Sequence, residues 1–271
     1  MGQKINPKIL RLGLYNNVWD SYYIEKTFEE STLLISNDLK IRAFLSRVFL
    51  LNGLLLHSCK LRFTVEEIYI FVYYFKMSKN NLLIGEGGEV NRQELLKITN
   101  TLYFFLNKGR SFSMELKILL KIRDITKYSK KLVPLKLDYL NKIFRRHLKD
   151  QLFNDLLTVS ILALLLKNSS QFLVSFLILK LKSIKNQSKV LFYLKLIWSE
   201  LVLKDIFRVK GVKLVIKGRF NKSARSRKKD IVLGSIPLQT IKAKIDYFQS
   251  NSFTSVGTFG VKLWICRRGQ Q

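Results

Sequence analysis

Acidic residues are scarce in this chain. Only 19 Asp and Glu stand against 48 Lys and Arg, a formal net charge of +29 over 271 residues. A globule this basic repels itself unless an anion surrounds it, and phosphate is the commonest such partner. Cysteine and histidine are nearly missing too. Cys59, Cys266, His57 and His147 cannot build a zinc-finger framework, and no Cys-x-x-Cys occurs. That excludes a structural zinc motif and a disulfide scaffold alike, and two lone cysteines are unlike a small secreted protein. Long apolar runs are lacking as well. Leu156–Leu166 and Phe172–Leu179 both fall well short of the ~20 residues a spanning helix needs, and read as buried helices. Catalytic signatures are absent: there is no Walker loop, HExxH, GxSxG or Rossmann fingerprint, and neither histidine has a motif partner. No LAGLIDADG-like segment supports a homing endonuclease or maturase. The expectation is a protein that is not an enzyme and needs no cofactor or metal.

What is present can fold. Hydrophobic residues make up 48% and aromatics 12%, enough for a sizeable core, and the length suits one large domain or two modest ones. Phe, Leu, Ile, Lys and Asn are plentiful while Ala is scarce, with 3 Pro and 13 Gly. That skew follows the codons of an AT-rich genome such as an organelle's. The opening Met1-Gly2-Gln3-Lys4-Ile5-Asn6-Pro7 has no apolar or Arg/Ser-rich amphipathic leader, so no import signal is expected.

Along the chain, residues 1–20 read as an extended basic arm. Residues 31–56 read as a helix capped at Asn37 or Asp38, ahead of Leu39, Ile41, Phe44, Leu45 and Val48. Lys60–Val65 and Ile68–Phe75 are short β-prone runs. Leu82–Ile84 leads into Gly85-Glu86-Gly87-Gly88, then a helix over Arg92–Leu106 and a strand over Met114–Ile122. Residues 124–205 have helical period throughout. After them four strands are expected: Gly211–Gly218, Ile231–Ile236, Thr240–Tyr247 and Val256–Ile265. Val212, Leu214 and Ile216 alternate with Lys213 and Lys217. Ile241, Ala243, Ile245 and Tyr247 alternate with Lys242, Lys244 and Asp246, so an apolar-backed sheet with a basic outer face is implied.

Charge is concentrated late in the chain. Residues 204–229 hold eleven Lys and Arg against Asp205 alone, a balance of +10, whereas residues 61–100 hold five basic residues and five Glu. The densest stretch is Gly218-Arg219-Phe220-Asn221-Lys222-Ser223-Ala224-Arg225-Ser226-Arg227-Lys228-Lys229. It lies between two expected strands and is too one-signed to be neutralised within the chain, so multiple phosphate contacts are the natural compensation. It has few groups for stacking or base edges, and should read backbone more than sequence. The Gly-x-x-Gly loop at 85–88 sits where a KH domain admits a nucleic-acid backbone. Glu86 and Glu89 would repel phosphate there, so a turn with little RNA affinity is expected.

Several segments together resemble ribosomal protein uS3 of the small subunit. They are Gly2–Pro7 with Arg11-Leu12-Gly13, Asp38–Arg42, Gly85–Gly88, Gly211-Val212-Lys213, Gly218-Arg219-Phe220, Ala224-Arg225, Gly234–Thr240, Lys244–Tyr247 and Gly257–Ile265. The resemblance covers 1–125 and about 170–268. It implies an α+β protein: an N-terminal type II KH-like α/β domain, then an α+β domain with a four-stranded sheet. Residues 1–125, 126–170 and 171–271 are accordingly expected to be the arm with the KH-like domain, a lineage-specific helical insertion, and the C-terminal domain. The resemblance further implies a place on the head of the small subunit near the mRNA entry channel, with small-subunit rRNA, mRNA and neighbouring ribosomal proteins as partners, the last in part through residues 126–170. The residues expected on RNA are Lys4, Arg11 and Arg42, then Lys185, Lys189 and Lys195, then Arg219, Lys222, Arg225, Arg227, Lys228 and Lys229. The family's clustered arginines are missing from the helix near Val190–Leu203, which argues against mRNA unwinding. A mitochondrion is the expected compartment, ahead of a plastid. The alternative is a membrane-associated or partner-binding protein that uses the apolar middle helices.

Overall fold

Two units emerge from the contacts, Val18–Tyr128 and Met1–Asn17 with Ser129–Gln271. The computed structural model describes residues 5–14, 19–64 apart from 26 and 28, 67–76, 97, 100–104, 117–124, 139–166 apart from 141, 168–204 and 206–268.

In the first unit, β1 (Ser21–Tyr23), α1 (Glu30–Leu51), β2 (Leu54–Phe63), β3 (Glu67–Lys76) and β4 (Lys117–Asp124) follow one another. The sheet runs in order β1-β2-β3-β4, with an antiparallel central pair and a parallel strand at each side. Ile41, Leu45 and Phe49 fall at i, i+4 and i+8 on α1 and are wholly buried against Cys59, Leu61 and Phe63 of β2 and Ile68, Ile70 and Val72 of β3. A stripe at helical spacing thus meets two strands alternating at period two. Leu102, in a helical stretch at 100–104, joins the same core.

Two expectations shift here. The helix begins at Glu30, so Asn37 and Asp38 are interior residues rather than caps. It also stops before 56. Asn52 closes it, and Gly53 at φ +70° turns the chain so that Leu54–Leu56 enter β2. Glycine is the residue that adopts this left-handed conformation without a Cβ penalty. The Gly85–Gly88 loop lies outside the described residues.

The second unit carries α2 (Gln151–Leu165), α3 (Ser170–Ser183) and α4 (Gln187–Leu203), then β5 (Val209–Gly218), β6 (Arg227–Gly234), β7 (Lys244–Thr254) and β8 (Gly257–Arg267). The four strands form an antiparallel sheet in order β6-β5-β8-β7. Its inner face, including Leu214, Ile216, Phe259, Val261, Leu263 and Ile265, is buried, with α3 and α4 packed on the sheet and α2 on those helices. Each such side chain contributes about 1.5–3 kcal/mol by leaving water. α2 is apolar almost all round because it is buried almost all round, from Phe153 to Leu164. A Lys180–Asp155 ion pair of 2.8 Å, a Trp198 indole N–H donating to Ser160 Oγ at 3.1 Å, and the Arg267 guanidinium on the Leu164 carbonyl at 2.6 Å hold it there.

The third expected strand starts late. Residues 240–243 form a turn, Ile241 is 55% exposed, and β7 begins at Lys244. Its polarity is also reversed. Asp246 points inward and accepts the Ser170 N–H at 2.8 Å, where the α3 N-terminus favours a carboxylate. Ile245 and Tyr247 lie on the other face, buried nonetheless.

Candidate nucleic-acid interface

The basic connection between β5 and β6 is built onto the sheet and onto α4. Gly218 ends β5 where a Cβ would fall 2.2 Å from the Phe259 ring, so a larger residue would displace that core aromatic. Phe220 is buried and meets Phe259 edge-on, with centroids 5.3 Å apart. Asn221 and Lys222 then take φ of +50° and +61°. Asparagine tolerates that region. Asn221 also grips the start of α4: its N–H donates to Gln187 Oε1 at 2.9 Å, its Oδ1 accepts the Gln187 N–H at 3.1 Å, and its Nδ2 donates to Ser188 Oγ at 3.2 Å. The anchored loop presents its basic residues beside the N-terminal end of a helix, itself favourable to anions.

The twelve expected RNA residues fall into distinct groups. Lys222, Arg225 and Arg227 are exposed, and among the described residues their side chains have no hydrogen bond or ion pair. Lys228 is exposed and pairs with Asp230. Arg219 is partly engaged by its own loop, donating through Nε to the Ser223 carbonyl at 2.9 Å. Lys229 turns inward, donating to Ser188 Oγ at 2.9 Å with its ammonium 4.6 Å from the Phe220 ring centre. On and just before α4, Lys185 and Lys195 are exposed, while Lys189 pairs with Asp150 at 3.0 Å. The Tyr193 hydroxyl and then Lys189 hold the Asp150 carboxyl below its usual range, and the bond to Asp150 raises the Lys189 ammonium.

Arg11 and Arg42 are engaged within their own units and serve the fold. Arg11 is 2% exposed, donating to the carbonyls of Pro7 at 2.7 Å, Leu238 at 2.8 Å and Thr240 at 2.9 Å. It ties the arm to the loop before β7. Arg42 pairs with Asp38 at 2.7 Å and donates to the Cys59 carbonyl at 2.8 Å, joining α1 to β2. Lys4 lies outside the described residues. Sequence reasoning missed the anchoring role of Asn221, although asparagine amid basic residues in a connection is a turn signal. It also left Lys262 unassigned, on the outer face of the sheet beside Lys213 and Lys217. Among the described residues no cluster of His, Cys, Asp or Glu is disposed to hold a metal, and no helix is long and apolar enough to cross a membrane.

A two-unit α+β protein with an anchored, strongly cationic hairpin carries the electrostatic footprint of the polyanion-binding class. The model for "Ribosomal protein S3, C-terminal domain" matches residues 200–265, which include that hairpin. The chain is 26% identical over 265 residues to small ribosomal subunit protein uS3c of Euglena longa, covering 98% of this chain and 99% of the relative. It is 26% identical over 268 residues to small ribosomal subunit protein uS3 of Phytoplasma mali, covering 98% and 84%. Against uS3 of Fusobacterium nucleatum it is 25% identical over 271 residues, covering 98% and 93%. Along nearly its whole length the chain is thus similar to small ribosomal subunit protein uS3, and over residues 200–265 to that protein's C-terminal domain.

Proposed function

We infer that the protein is a structural constituent of the small ribosomal subunit, placed on the head, and that it grips rRNA through the β5–β6 hairpin. The observation that carries the reading is the hairpin itself. Lys222, Arg225 and Arg227 are exposed and unpaired among the described residues on a hairpin fixed by three hydrogen bonds at Asn221, two donated and one accepted. Preorganised cations lose little freedom when phosphate arrives, and each contact releases condensed counterion. The protein works by binding and has no catalytic activity of its own. Lys185 and Lys195 face outward near the hairpin and contact mRNA near the entry channel. Without clustered arginines on α4, this contact is a guide rather than an unwinding device. Residues 126–170 are a lineage-specific insertion whose helix α2 has folded back into the core, leaving the KH-like domain within residues 1–125, whose arm at 1–17 groups with the other unit, and the C-terminal domain at 171–271.

The compartment is a mitochondrion, supported by the AT-type composition and the inserted segment. A plastid is the reading favoured by the Euglena longa relative. Fractionation tests both levels of the proposal. The native protein should sediment with small-subunit rRNA after detergent, leave it only at high salt, and do so in mitochondrial lysates. Recovery mainly in RNA-free membrane fractions would overturn the ribosomal reading, and recovery with plastid ribosomes would overturn only the compartment.

A further inference from the structure

The hairpin accounts for one side of the second unit, but the face of the sheet turned away from the helices has a composition of its own. Register places Lys228, Lys217, Gly260 and Asn251 in one row across it, and Asp230, Val215, Lys262 and Gln249 in the next. The following row holds Lys213, Trp264 and Tyr247, with the Lys213 ammonium 5.5 Å from the Trp264 ring centre. At the far end of β7, Phe253 projects from the same face and is 69% exposed. Four lysines against one acid make the face cationic, and the single acid is already paired with Lys228. Lys217 and Lys262 are exposed and unpaired among the described residues.

Gly260 supplies the second observation. A glycine within a strand interior marks a bulge, a tight bend, or the close approach of a ligand or another backbone. The first two are absent, because the ladder runs without irregularity through Lys217, Gly260 and Asn251. Nor does packing require it. An added Cβ would meet only Asn251 Oδ1, at an ordinary 3.6 Å, whereas at Gly211, Gly218 and Gly234 it would press to 2.7, 2.2 and 2.2 Å. The chain gives fold reasons for those three glycines and none for this one. Gly260 leaves a bare strip of backbone with Lys217 on one side and Asn251 on the other, Lys262 two residues along its own strand, and an exposed aromatic ring beyond.

We propose that this outer sheet face is a second RNA-binding surface, separate from the hairpin, which takes a single-stranded segment laid over Gly260. It rests on the rRNA-binding reading above. Lys217 and Lys262 meet successive phosphates, lying on adjacent strands one row apart, where rows repeat about every 6.8 Å along a strand. Gln249 and Asn251 offer donors and acceptors to base edges, and Phe253 gives a base a ring to stack on, as sheet-face readers of single-stranded RNA do. Tyr247, within 5.0 Å of Trp264, is buried and supports that indole rather than offering a platform.

The test uses the full chain and a labelled oligouridylate of about 12 nucleotides, titrated over a range of salt. On a background carrying Arg225→Gln and Arg227→Gln, adding Lys217→Gln with Lys262→Gln should lower the log–log salt slope by about 1.4, two single-strand contacts. Gly260→Glu should weaken binding about tenfold with an unchanged melting curve, because its Cβ is tolerated. Ultraviolet cross-linking of the assembled subunit should join Phe253 to RNA. Unchanged slope and affinity in folded sheet variants would overturn the surface and leave the hairpin reading standing. Cross-links from Lys217 and Lys262 to protein alone would overturn it in favour of a protein partner. Hairpin variants that bind normally while sheet variants fail would overturn the hairpin reading instead.

Discussion

Asp155→Ala should be among the most damaging single changes in the second unit. Lys180 is 2% exposed, and its ammonium has the Asp155 carboxylate at 2.8 Å and the Phe176 ring centre at 5.3 Å. Removing the carboxylate strands a desolvated cation between α2 and α3, and breaking such a buried pair costs about 3–5 kcal/mol. An exposed pair would cost only about 0–1 kcal/mol. Against a total stability of about 5–15 kcal/mol the loss is large. With a urea slope of about 2 kcal/mol per molar, 3 kcal/mol lowers the unfolding midpoint by about 1.5 M. Trp198, fully buried and bonded to Ser160 of α2, reports on this layer through its fluorescence. Replacing both partners with Lys180→Met and Asp155→Leu should restore most of the loss, since an apolar pair of similar bulk leaves no charge unmatched. A coupling of about 2 kcal/mol or more in the double-mutant cycle is expected. If Asp155→Ala moves the midpoint no further than a surface substitution, the ammonium has found water and the buried-pair reasoning is refuted.

Gly218→Ala should destabilise by about 1–3 kcal/mol through the clash with Phe259, read in a thermal melt, and a melt at the wild-type value would show that the ring yields freely. Burial pushes the Cys59 thiol up to about 12, so it should resist alkylation at pH 8 until the first unit opens; rapid labelling of native protein would contradict its burial. Because this pKa is raised in the fold, its contribution is intact below the ordinary thiol value of 9.0 and is lost as pH climbs from there towards about 12. Unfolding midpoints collected across that range should fall accordingly.

The strands of the second unit were legible because each is half-buried, and half-burial writes a period of two into Val212–Lys217. What escaped depends on partners distant in sequence. Ile241 looked like part of the alternation, but the carbonyls at Leu238 and Thr240 bind Arg11, 227 and 229 residues away, and hold the segment in a turn. Asp246 looked like a solvent-facing residue because nothing nearby in sequence shows that it meets the α3 N-terminus. The run Leu54–Leu56 fits helix or strand equally by periodicity, and Gly53 decides between them. In the hairpin, charge density pointed to the segment as a whole. Which cations are free was hidden, since Lys229 is held by Ser188 on α4 and Arg219 by the loop's own backbone.

The grip of the hairpin on rRNA is tested most directly by replacing Arg225 and Arg227 with Gln, which keeps bulk and polarity while removing both charges. Binding of the full chain to small-subunit rRNA is then measured across a salt series. Neither arginine makes a side-chain hydrogen bond or ion pair within the described residues, so the fold should be unaffected. Two lost phosphate contacts should reduce the log–log slope by about 1.4–1.8 and weaken incorporation into the small subunit. A folded double variant that binds rRNA with wild-type slope and affinity would mean that the loop's charges face only solvent.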